Sequence, residues 1–103
     1  MQPIESAAIY FWGPGCETCS SYGPIYDLAT SKLEGQLPLR KINIEEEHSA
    51  KHTYLITSLP TLIVFQNGKE ISRQSGAVPL QPLVQWLYSF VRFRDSYDDL
   101  KAA

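Results

Sequence analysis

The sequence is poor in cysteine, has no cluster of positive charge and contains no long apolar run, and each shortage excludes a class of protein. Two cysteines in 103 residues cannot build the several distant bridges of a secreted disulfide scaffold. A formal net charge of -2, with the lysines and arginines scattered, leaves no electrostatic footprint for nucleic acid. No stretch approaches the roughly 20 consecutive apolar residues that a membrane helix needs. The opening Met1-Gln2-Pro3-Ile4-Glu5-Ser6 has neither the basic region nor the apolar run of a secretory leader. The expectation is a cytoplasmic protein with no membrane partner. Hydrophobic residues make up 44% of the chain, enough for one core, so residues 1–103 are read as a single domain.

The two cysteines that are present, Cys16 and Cys19, stand three positions apart. By loop-entropy reasoning a bridge between them is worth roughly 2 kcal/mol, less than the roughly 3 kcal/mol of a 15-residue loop, so a structural staple is a poor explanation. The apolar run Ala7 to Trp12 reads as a buried strand, ended by Gly13-Pro14-Gly15. From Cys16 to about Leu33, apolar residues recur at helical spacing with Pro24 inside as a kink, and Gly35 marks the end. Leu37 to Ile44 alternates as a second strand, and Glu46 to about Tyr54 reads as a polar helix that opens on the run Glu45-Glu46-Glu47. Thr61 to Phe65, the turn Asn67-Gly68 and Glu70 to Gln74 form a hairpin closed by Gly76. A last amphipathic helix starts near Leu80 behind Pro79, and residues 95–103 extend it or fray.

The order is β-α-β-α-β-β-α, an α/β core with a four-stranded mixed sheet, helices on both faces and a right-handed crossover between the first two strands. Cys16 then falls between the first strand and the first helix. Free backbone N–H groups and the helix dipole favour a thiolate there, which makes Cys16 the nucleophile and Cys19, one turn further in, the resolving thiol.

Further landmarks surround the pair. Phe11-Trp12 precede it, Pro24 follows five residues after Cys19, and Leu59-Pro60-Thr61 leads into Leu62-Ile63-Val64-Phe65-Gln66-Asn67-Gly68. In this order they resemble the thioredoxin family from about Ala7 to Leu87. The resemblance implies a thioredoxin-like fold and a thiol-disulfide oxidoreductase that carries electrons to disulfide-containing protein substrates without a cofactor. It would be recharged by a thioredoxin-reductase-like partner or by glutathione. It also implies that Pro60 is cis and lies beside the cysteines, presents the backbone of Leu59 to an extended substrate segment and keeps stray metal from the thiols. Gly15, Leu59 and Gly76 would then line the substrate, with Trp12 and Thr18 bordering the pair.

The departures from the family are specific. Thioredoxins read Trp-Cys-Gly-Pro-Cys where this chain reads Gly15-Cys16-Glu17-Thr18-Cys19, so the surface before the nucleophile should be more open and less apolar. Glu17 sets a negative charge beside the thiolate, which should raise the Cys16 pKa and favour reducing behaviour. The family's buried aspartate, six residues before the first cysteine, is Tyr10 here, which leaves the matching Lys41 without its carboxylate partner. Either Tyr10 or water then serves proton transfer, or the resolving step is slower. Only six residues precede the first strand, fewer than the extra strand and helix of a full thioredoxin, so the outline should be nearer to glutaredoxin. The strand at 37–44 would be an uncovered edge open to a partner or to a homodimer.

Competing readings attach to several residues. One CxxC supplies two ligands where zinc or an iron-sulfur cluster wants four, so a metal site would have to be shared between subunits. That defines the alternative function, a binding module of the same fold for a partner protein or an intersubunit metal or cluster. His48 and His52 read as a solvated helix face, Trp12, Tyr26 and Phe65 as core, and Tyr88, Phe90, Phe93 and Tyr97 as packing.

Overall fold

The computed structural model describes residues 7–33 and 36–90. Six elements run β1 (Ala7–Trp12), α1 (Glu17–Lys32), β2 (Leu39–Asn43), α2 (His48–Thr53), β3 (Thr61–Gln66) and β4 (Lys69–Ser75), and residues 80–90 form a further helix, α3. The sheet order is β2-β1-β3-β4. β1 pairs parallel with β2 and antiparallel with β3, and β3 pairs antiparallel with β4. This is the mixed four-stranded sheet expected from the element order.

Period-two alternation divides the buried strands between two half-cores. Ala8 and Tyr10 of β1 with Leu62 and Val64 of β3 face Tyr22, Tyr26, Ala29 and Leu33 of α1 and Leu83 and Leu87 of α3. Ala7, Ile9 and Phe11 with Ile63 and Phe65 face Ala50 of α2 and Ile56. Both faces are therefore covered by helices, which explains why β1 and β3 read as continuous apolar runs rather than alternating ones.

Two expected elements change their bounds. β2 is shorter than 37–44, because Leu37 turns into the α1 half-core before pairing begins. The helix expected from Glu46 begins at His48. Asn43 takes the backbone N–H of Glu45 on its side-chain oxygen at 2.9 Å, and its carbonyl takes those of Glu46 and Glu47 at 3.1 and 3.0 Å. An asparagine that captures local donors starts a turn in place of a helix, so the acidic run lies outside α2. Helix α1 ends at Lys32 with Leu33 as its C-cap; Gly35, Phe93, Tyr97 and residues 95–103 lie outside the described residues.

Asn67 and Gly68 both adopt positive φ, 53° and 80°, as the two-residue turn joining β3 to β4 requires. On β4, Arg73 grips the carboxylate of Glu70 with two hydrogen bonds of 2.6 and 2.5 Å. It also donates to the carbonyls of Tyr54 at 2.8 Å and Leu55 at 3.2 Å, at the end of α2. β2 lies at an edge of the sheet and shows Arg40 and Lys41 to solvent, charges of the kind that blunt an edge.

Candidate redox site

Cys16 is the N-cap of α1 with extended backbone, and its Sγ accepts the backbone N–H of Cys19 at 3.0 Å. A sulfur in this place satisfies one of the donors that every helix start leaves free. Cys16 and Cys19 are joined as a disulfide. Cys16 is half-buried, whereas Cys19 is only 5% exposed. The two cysteines thus differ in exposure within a single helical turn.

Register brings the second landmark to the same end of the sheet. Phe11 of β1 pairs with Thr61 of β3, so the loop leaving β1 toward Cys16 and the loop entering β3 through Pro60 run side by side. A Cβ built on Gly13 would stand 3.1 Å from the Leu59 side chain, and only glycine allows that approach without displacement. The Leu59–Pro60 bond is cis. Pro60 is buried, its carbonyl accepts the Gly76 N–H at 2.8 Å, and the Thr61 hydroxyl donates to the Ser58 carbonyl at 2.7 Å. Gly76 sits at φ 85°. Gly76→Ala should therefore cost about 1–2 kcal/mol, read as a lower urea midpoint with an unchanged slope; an unchanged midpoint would mean that the turn relaxes freely.

The remaining candidates separate. Gly15, Glu17 and Thr18 are exposed, and a Cβ on Gly15 would meet nothing within 4 Å. Tyr10 lies beneath the pair, its hydroxyl donating to the Cys19 carbonyl at 3.2 Å. Its ring stacks on Tyr26 at 4.7 Å and tilts against Tyr22 at 5.5 Å. Burial pushes the Tyr10 phenol above its ordinary pKa, with the nearby Asp27 carboxylate adding to the effect. His48 and His52 are both exposed on α2.

Lys41 is not without a carboxylate. Its Nζ pairs with Asp27 Oδ1 of α1 at 2.5 Å and lies 5.9 Å from the Tyr26 ring centroid. This corrects the expectation drawn from Tyr10: the carboxylate reaches the lysine from the helix instead of from β1. Tyr10, Trp12, Cys19, Gly23, Asp27 and Lys41 together line a pocket of about 330 Å³. Asp27 was missed because nothing in its neighbourhood marks it, although Cys19, Gly23 and Asp27 stand at i, i+4 and i+8 on α1, the spacing of one helix face.

Comparison with known proteins assigns the chain to a family. A family model described as Thioredoxin matches residues 1–89. The chain belongs to the thioredoxin family. Thioredoxin 1 of Nostoc sp. is 35% identical over 77 residues, covering 75% of this chain and 72% of that protein. The thioredoxin of Porphyra purpurea is 31% identical over 81 residues, covering 79% and 76%. Among solved structures, a thioredoxin-2 described as a component of malaria parasite protein secretion machinery superposes with a TM-score of 0.77 at 20% identity. The match spans 86% of this chain and 85% of that one, and shows the shared fold. Membership of the thioredoxin family and the bonded Cys16–Cys19 pair make this chain a thiol-disulfide oxidoreductase.

Proposed function

We propose that the protein is a dithiol reductase of protein disulfides, with Cys16 as the nucleophile and Cys19 as the resolving thiol. The observation that carries this reading is the placement of Cys16 Sγ at the start of α1, where it accepts the Cys19 N–H while Cys19 itself is buried. A thiolate at that atom gains both the hydrogen bond and the positive end of the helix. Leu59, in contact range of the loop that delivers Cys16, presents its backbone to an extended substrate segment, with Gly15 and Gly76 on its flanks. Open space around Gly15 suits a broader or more polar substrate than an indole at that position would admit. Reduced thioredoxin-reductase-like or glutathione partners of a cytoplasmic compartment would return the electrons.

The test is reduction of insulin disulfides with dithiothreitol as the electron source. The wild-type chain should accelerate precipitation of the insulin B chain, and Cys16→Ser should fall to the rate of dithiothreitol alone. A wild-type protein that forms its disulfide but leaves insulin untouched would replace the general reductase with a protein devoted to a single partner.

A further inference from the structure

On that reductase reading, we propose that Asp27 takes up the proton that Cys19 must lose, through water in the pocket that Gly23 leaves open between them. Resolution needs a Cys19 thiolate, since the thiol does not attack. The groups facing the pocket are few. Tyr10 of β1 already donates its hydroxyl hydrogen to the Cys19 carbonyl, and a phenol that donates and is held above its ordinary pKa is no proton acceptor near neutrality. Tyr22 and Tyr26 of α1 stand behind the pocket wall as buried phenols held higher still. Lys41 of β2 is an ammonium paired with Asp27. Asp27 is the carboxylate on this wall.

The helix supplies the path. Asp27 lies two turns beyond Cys19, about 12 Å along the axis, and helical side chains lean toward the N-terminus, so Asp27 tilts back toward the cysteine. Between them, Gly23 contributes no side chain, and a Cβ placed there would meet nothing within 4 Å. A glycine inside a helix costs about 1 kcal/mol relative to alanine, and here it keeps the wall open. Pro24 brings no N–H, so the Ser20 carbonyl on the same wall loses its helical donor and offers water an acceptor. A pocket of about 330 Å³ holds several waters at about 30 Å³ each. Lys41 is then a positioning residue that holds Asp27 toward the pocket.

The step balances. The Cys16 thiolate attacks the substrate disulfide and expels the first substrate sulfur as a thiolate. The Cys19 thiol passes its proton through water to the Asp27 carboxylate. The Cys19 thiolate then attacks Cys16 Sγ, forming the Cys16–Cys19 bond and breaking the mixed disulfide. The second substrate sulfur leaves as a thiolate and takes the proton held on Asp27. Two electrons pass from the protein to the substrate, and Asp27 ends as it began.

The reduced protein mixed rapidly with Ellman's disulfide separates the stages, because attack releases one thionitrobenzoate and resolution releases a second. Asp27→Asn should leave the first phase unchanged and slow the second by about a hundredfold, the lower end of general acid-base effects. Asp27→Glu should restore most of the rate, and Gly23→Leu, which plugs the path but keeps the carboxylate, should also slow only the second phase. An unchanged second phase in Asp27→Asn, or equal slowing of both phases, overturns the proposal. Absence of a first phase in the wild-type chain would instead overturn the reductase reading beneath it.

Discussion

Replacing Cys19 by serine should turn a protein that releases its substrate into one that keeps it. On the proposed assignment of roles, the substitution removes the resolving sulfur but leaves the backbone N–H that reaches Cys16 Sγ at 3.0 Å, so the nucleophile keeps its helix-start stabilisation. Attack on a substrate disulfide then proceeds, and the mixed disulfide has no internal thiol to break it. Mass analysis after mixing the reduced variant with a disulfide-containing peptide should find one peptide linked to Cys16, and catalytic turnover should fall to background. Cys16→Ser should give no adduct, because Cys19 is only 5% exposed. Equal trapping by both variants would show that burial does not separate the two sulfurs and would remove the ordering of roles.

Raising the pH above 10 should unfold the protein cooperatively, because its phenols are ionised far more easily in the unfolded chain. Burial pushes Tyr22 up to about 12, with Tyr10 adding to it, and drives Tyr26 and Tyr10 upward as well. Below pH 10 these phenols keep their protons in both states and contribute no pH dependence. Above it the unfolded chain releases protons that the native state retains, so stability falls with rising pH until the native phenols ionise. Tyr22 alone accounts for about 2 to 3 kcal/mol over that window, against a total of about 5–15 kcal/mol for an ordinary domain. Tyrosinate absorbance and loss of tertiary circular dichroism should therefore rise and fall together. Tyr22→Phe should shift the transition to higher pH. It should also add about 1 kcal/mol at neutral pH, because the Tyr22 hydroxyl is buried without a hydrogen-bond partner among the described residues. Ionisation of the tyrosines with the fold intact would contradict this account.

What could be read from the sequence was whatever one segment decides alone. The burial of β1 and β3, the Asn67-Gly68 turn and the position of Cys16 at a helix start each follow from a few adjacent residues. What could not be read depended on how segments meet. Asp27 becomes the partner of Lys41 only once α1 lies across β1 and β2 with Tyr26 beneath the ammonium. The start of α2 moved because Asn43 captures three backbone donors, a local competition that the acidic residues beyond it concealed. The family resemblance named the position of the missing carboxylate but had no bearing on where a substitute would come from.

β4 holds neither cysteine, yet it suspends the loop that faces them. Arg73 ties down Tyr54 and Leu55 where that loop departs, and Gly76 ties down Pro60 where it arrives. The span between is a bridge resting on two piers, Arg73 within one edge strand and Gly76 just past its end. Its shape is inherited separately from the CxxC turn, so drift along β4 can reshape the Leu59–Pro60 loop while the turn that holds Cys16 and Cys19 stays as it is.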